Sequence, residues 1–193
     1  MTDAFRSSHV PRRRKVGLPI WLPQARIGNG WDPLGYSRLG AAASSVTFTF
    51  PTDYKTLWLV GQILCSASNK PKVQLNGDTA GNYDFQVLTG NTTTVDGLRS
   101  VGDSGLEISD DFIAASGNAL ISVQITKQQT GDEALMSAGM AFFGDYATDA
   151  ISIAHAACIW NNTSALMSRL DLLVSAGNMN ANSVLWLLGQ RGE

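Results

Sequence analysis

The sequence predicts an all-β protein: an antiparallel β-sandwich or jelly roll of about eight to ten strands behind an extended N-terminal arm. Three observations predict it. From residue 45 onward, apolar and polar residues alternate with period two in segment after segment. Clusters of Gly, Asn, Asp, Ser and Thr separate these segments at roughly 10–20-residue spacing. No stretch carries the three-to-four-residue apolar period of an amphipathic helix.

The elements follow in order. Residues 1–44 form the arm. It holds four of the six prolines (Pro11, Pro19, Pro23, Pro33), and each proline pushes the residue before it toward extended geometry. Leu18–Pro23 is therefore expected to run extended. Gly28-Asn29-Gly30 and Asp32-Pro33-Leu34-Gly35 read as turns. The domain spans 45–193. Val46, Phe48 and Phe50 alternate with Ser45, Thr47 and Thr49 as a half-buried strand. The long apolar run from Thr56 to Cys65 suggests a central strand buried on both faces. Lys72–Leu75 is a strand ending in the Asn76-Gly77-Asp78 turn, and Tyr83–Leu88 alternates again. Residues 89–118 read mostly as loop, with Leu106, Ile108 and Phe112 in a short edge strand or turn. Ala119–Thr126, Leu135–Tyr146, Ile151–Trp160, Leu166–Ser175 and Ser183–Gln190 complete the set.

The chain has 193 residues, enough for one domain with a core that needs no disulfide or metal staple. Charged residues are 16%, against about 25% in typical domains, so much of the surface is expected to meet other protein. The net charge of −2 hides an asymmetry. Residues 1–35 hold six of the 14 basic residues and two acids, net +4, and the remainder is net −6. No apolar run is long enough for a membrane helix and no apolar leader is visible, so no membrane partner is expected. Cys65 and Cys158 sit in apolar stretches and read as buried thiols.

Catalytic chemistry has few candidates. His9 and His155 are too isolated for a triad or a metal site, and no phosphate loop, HExxH or GxSxG motif occurs. The chain is expected to be no enzyme and to need no cofactor or metal. Asp110-Asp111 and Asp132-Glu133 read as solvated loops. Asn76, Asp78, Asn82 and Asp84 cluster within nine residues. They are a weak Ca²⁺ candidate, but the spacing is not an EF-hand and turn chemistry explains it better. Trp58 and Trp186, inside strands, are expected in the core. Trp160, just before Asn161-Asn162-Thr163, is placed at a loop mouth as a candidate glycan contact.

The sharpest charge feature is Arg12-Arg13-Arg14-Lys15. It suits docking on an acidic protein groove, a solvated tail or, least of the three, nucleic acid. Ile20, Trp21 and Leu22 beside it favour protein docking, because aromatic and arginine side chains dominate interface energetics.

Three segments resemble a family of tailed-bacteriophage virion β-sandwich proteins. They are Phe48–Gly61 (with Tyr54-Lys55-Thr56-Leu57-Trp58-Leu59-Val60-Gly61), Leu75–Tyr83 (with Asn76-Gly77-Asp78 and Asn82-Tyr83) and Gly177–Gly189. Leu88 and Asn182 depart from the pattern, standing where the family has tyrosine and glycine. The resemblance covers about residues 45–190 and implies a virion structural protein assembled in the bacterial cytoplasm. An accessory capsid cement or decoration protein is the expectation, a homo-oligomer (trimer) whose arm docks on the major capsid protein or other virion subunits. The alternative is a tail-fibre or baseplate component that binds a host-surface glycan.

Overall fold

The computed structural model describes residues 30–91, 94–145 and 150–192. They form twelve strands and, among the described residues, no helix. The strands are β1 (Asp32–Arg38), β2 (Ser45–Thr49), β3 (Tyr54–Leu64), β4 (Pro71–Leu75), β5 (Tyr83–Asn91), β6 (Thr94–Asp103), β7 (Leu106–Glu107), β8 (Asn118–Thr126), β9 (Ala134–Asp145), β10 (Ala150–Trp160), β11 (Arg169–Val174) and β12 (Val184–Arg191). Their pairings are antiparallel. One sheet has eight strands in the order β1-β12-β3-β8-β9-β10-β5-β6, and the other has four, β2-β11-β4-β7.

This order is that of a jelly roll. Two interleaved Greek keys leave strands 1-8-3-6 in one sheet and 2-7-4-5 in the other. Counted from β2, the small sheet follows the first order. In the large sheet β3, the meander β8-β9-β10, then β5 and β6 follow the second. The seventh position is thus a three-stranded meander, and β12 and β1 extend the sheet beyond β3.

The alternation seen in the sequence sets which side chains enter the core. Val46 and Phe48 from β2, Leu57, Leu59 and Ile63 from β3, and Ile121, Val123 and Ile125 from β8 are all buried between the sheets. Tyr83 ties the sheets together: its phenol oxygen accepts the Leu75 amide at 2.8 Å and donates toward the Leu75 carbonyl at 3.4 Å. Burial pushes its pKa well up. The Asn76-Gly77 turn is formed, with φ of 55° and 65° and an Asp78 amide bond to the Leu75 carbonyl at 2.9 Å. It carries the chain from β4 in one sheet to β5 in the other rather than closing a hairpin.

Four expectations are corrected. Asp32–Arg38, assigned to the arm, is edge strand β1, and Tyr36 packs on Trp186 of β12. Residues 94–103, read as loop, form β6 along β5. β3 is buried on one face only. Trp58 and Trp186 point away from the core, because Leu57, Leu59, Leu185 and Leu187 take the inward positions. Cys65 and Cys158 are buried free thiols, as expected, and burial pushes Cys158 up to about 12.

Candidate functional site: the outer face of the eight-stranded sheet

The outward side chains of the large sheet fall into rungs across the strands. One rung runs from Tyr36 through Trp186, Val60, Ser122, Gly139 and His155 to Leu88 and Gly97. The next runs Val184, Gln62, Leu120, Ala141 and Ile153; the one on the other side runs Leu188, Trp58, Gln124, Ser137 and Ala157. From β12 to β10 these three rungs carry no Asp, Glu, Lys or Arg. Their one titratable side chain is His155.

Among the described residues, every exposed large hydrophobic side chain except Phe112 lies on this face. Leu120 is 62% exposed, Ile153 56%, Tyr36 52% and Trp186 43%. Scattered exposed hydrophobics need no explanation, but a contiguous patch of this kind marks an interaction surface. The relief is uneven. The middle outward positions of β9 are Ser137, Gly139 and Ala141, so the sheet sinks there into an open depression of about 650 Å³ between Trp186 and Val60 on one side and Ile153 and His155 on the other. Beside it rises an aromatic ridge: Tyr36 and Trp186 pack with ring centroids 4.3 Å apart. Trp31 meets Trp58 edge-on at 6.0 Å, and the Trp58 indole donates to Ser122 Oγ at 2.9 Å.

Of the residues singled out from the sequence, those described lie elsewhere. Arg12, Arg13, Arg14, Lys15, Ile20, Trp21 and Leu22 lie outside the described residues. Trp160 does not line a loop mouth. It has no exposed surface, stacks on Tyr83 with centroids 6.5 Å apart, and donates its indole N–H to Asp78 Oδ2 at 2.8 Å. No sugar ring can reach it. Strand parity is the reason: Cys158 and Ala156 of β10 point inward, so residue 160 does too.

The Asn76–Asp84 cluster is a clamp between loops. Asp78 Oδ2 also accepts from Asn82 Nδ2 at 2.9 Å and Asn162 Nδ2 at 3.3 Å, and Oδ1 accepts the Ala80 amide at 3.0 Å. Burial works to raise the Asp78 pKa, but these hydrogen bonds outweigh it and hold the carboxyl below its ordinary value. Asn76 Oδ1 accepts the Ser168 and Arg169 amides at 2.9 and 3.1 Å. Asp84 accepts the Gly102 amide at 2.8 Å and Asn161 Nδ2 at 3.1 Å. With their oxygens on protein donors, these side chains do the work of turn chemistry. Lys127, 1% exposed, donates to the Asp132 carbonyl and to the Asn162 carbonyl at 2.9 Å under the Trp160 ring.

The outer face was not legible as a site, because no motif marks it. The available signal was the apolar residues Leu120, Ile153 and Trp186 at outward positions, where alternation with the buried set calls for polar ones. No protein family, no curated protein and no solved structure matches the chain.

Proposed function

We propose that the chain is a non-enzymatic structural protein of a tailed-phage virion, an accessory cement or decoration protein that works by adhesion between subunits. The observation that carries the reading is the outer face: three rungs across five strands without an Asp, Glu, Lys or Arg, broad and mostly apolar. Depletion of charge with exposed Trp, Tyr and Leu is the composition of a protein–protein interface core. The basic, Pro-rich arm supplies a second contact, running to neighbouring virion subunits, and the resemblance at Tyr54–Gly61, Leu75–Tyr83 and Gly177–Gly189 supplies the phage assignment.

The test is quantitative mass spectrometry of purified particles, scored against the major capsid protein. A copy number in the hundreds is expected for a shell-coating protein. A few dozen copies or fewer would move it to the tail, and absence from the particle would overturn the virion reading.

One observation favours the alternative, a tail component that binds host glycan. The exposed Tyr36–Trp186 pair is an aromatic platform of the kind sugar rings stack on. Glycan-array binding that is lost in Trp186→Ala would select this reading.

A further inference from the structure

The trough and the ridge on the outer face are arranged to fit each other. Across the large sheet, β3 and β8 are neighbours, with β12 and β9 next outward on either side, then β1 and β10. A two-fold axis in the plane of the face, running along the strands at the β3–β8 seam, lays a second copy face to face with the first. It sets β12 of one copy over β9 of the other and leaves each residue at its own rung. Trp186 and Gly139 share a rung. The exposed tryptophan of each copy therefore falls on the one outward position in the middle rung of the six paired strands that has no side chain, inside the depression. Tyr36 falls over His155 by the same operation.

We propose that the partner of this face is a second copy of the same chain, paired isologously, with each Trp186 seated over Gly139 of the other subunit. The proposal deepens the reading of the face as an assembly surface and does not depend on where in the virion the protein sits. It replaces the trimer expectation with a two-fold pair, the commonest closed symmetry and the one that requires a self-complementary patch.

The area suffices. At ~4.8 Å per strand and ~6.8 Å per rung, six paired strands and three rungs cover roughly 29 by 20 Å, about 580 Å² per copy. The pair then buries roughly 1,150 Å², above the ~1,000 Å² that separates specific interfaces from incidental ones. Two sheets packing face to face at about 10 Å spacing is ordinary sandwich geometry. No charge is stranded in the middle, because the paired rungs from β12 to β10 carry none; Arg38 of edge strand β1, on the Val184 rung, lies at the rim.

Two measurements on the full chain test it. Sedimentation equilibrium should show a reversible dimer, weakened at least about 30-fold by Trp186→Ala, as for the loss of a buried aromatic anchor. Gly139→Leu, which fills the seat, should weaken it comparably. Ala141→Glu, which charges the trough floor on an exposed position, is the companion variant should Gly139→Leu fail to fold. Register is tested by mixing two single variants, Trp186→Cys and Gly139→Cys, with a short bis-maleimide linker, because facing backbones about 10 Å apart lie beyond disulfide reach. A covalent heterodimer should form in the mixture, with far less product from either variant alone.

A monomeric full chain would overturn the pairing. So would a dimer indifferent to all three substitutions, or a mixture that fails to cross-link. A full chain that is monomeric but dimerises once residues 1–29 are removed would also overturn it, by showing that the arm occupies the face. None of these outcomes alters the copy number in the particle, so failure here is distinct from failure of the virion reading.

Discussion

Asp78 is the residue on which the loop cluster at one end of the sandwich depends. Its carboxylate accepts from the Trp160 indole, two asparagine amides and one backbone amide. Asp78→Ala leaves the fully buried Trp160 N–H without an acceptor, which costs about 1–3 kcal/mol. The urea midpoint should fall with an unchanged slope. Adding Trp160→Phe removes the orphaned donor, so the double variant should be less destabilised than the sum of the singles. The same carboxylate gives a pH signature. Its folded pKa is below the unfolded value of about 3.9. The unfolded chain therefore binds the proton first. The stabilisation is fully present above that value and is lost as pH falls through the lower, folded pKa. Urea midpoints measured across the acid range should converge for wild type and Asp78→Asn as pH drops; a constant gap would contradict the assignment. At this scale the sequence was half informative. Asn76-Gly77 announced its turn because both positions take positive φ. Trp160 misled because its neighbours Asn161-Asn162-Thr163 are loop residues, while its own direction is fixed by strand parity.

Two glycines separate what holds an element in place from what shapes its surface. Gly61 of β3 faces the core beside β12, and a methyl there would strike the Val184 carbonyl oxygen and stand 2.9 Å from Leu185 Cα. Backbone atoms cannot swing aside, so Gly61→Ala must push β12 from β3 and should cost about 1–3 kcal/mol, as overpacking does. Amides of β1 and β12 should then exchange faster than those of β8 and β9, since the loosened edge lies on that side of β3. Gly139 of β9 faces outward, where a methyl would meet the His155 ring at 3.6 Å, an ordinary contact. At protein concentrations low enough to keep the chain monomeric, Gly139→Ala should leave the urea midpoint unchanged or slightly raised, since glycine in a strand interior is about 0.5–1 kcal/mol less favourable than alanine. Equal effects at the two positions would show that the packing is not the cause. Strand legibility follows the same physics. β2, β8 and β10 were readable because their own alternation meets the core. β6 was not, because Val95, Gly97 and Val101 are exposed and the strand is held by its ladder to β5. β1 was hidden by Pro33 and Gly35, which flank the bulge where its register to β12 shifts.

The whole molecule is a non-local object, and this limits what the sequence displays. The strands themselves were visible, but the rung that brings Tyr36, Trp186, Ser122, Gly139 and His155 into line joins segments as far apart as residues 36 and 186. No local pattern encodes that register; it is set by which faces bury, and by the crossings that send the chain from sheet to sheet. The same crossings set the folding behaviour. β2 must find β11, and β3 must find β12, before either sheet closes. Loop closure over such separations is entropically costly before any contact repays it, so refolding should take milliseconds to seconds rather than microseconds. Both sheets bury into one continuous core, in which Phe48, Leu75, Trp160 and Leu187 all take part. Among the described residues neither sheet packs on a further layer of the chain, so the two should unfold together. In a variant with the other four tryptophans replaced by phenylalanine, Trp160 fluorescence reports the interior and backbone circular dichroism reports the strands. Their urea transitions should coincide at low protein concentration, with refolding single-exponential in stopped flow. A fluorescence change that precedes the loss of strand signal would locate an independently opening unit. In that case β1 and β12, which lie outside the jelly-roll order, would be the first place to look.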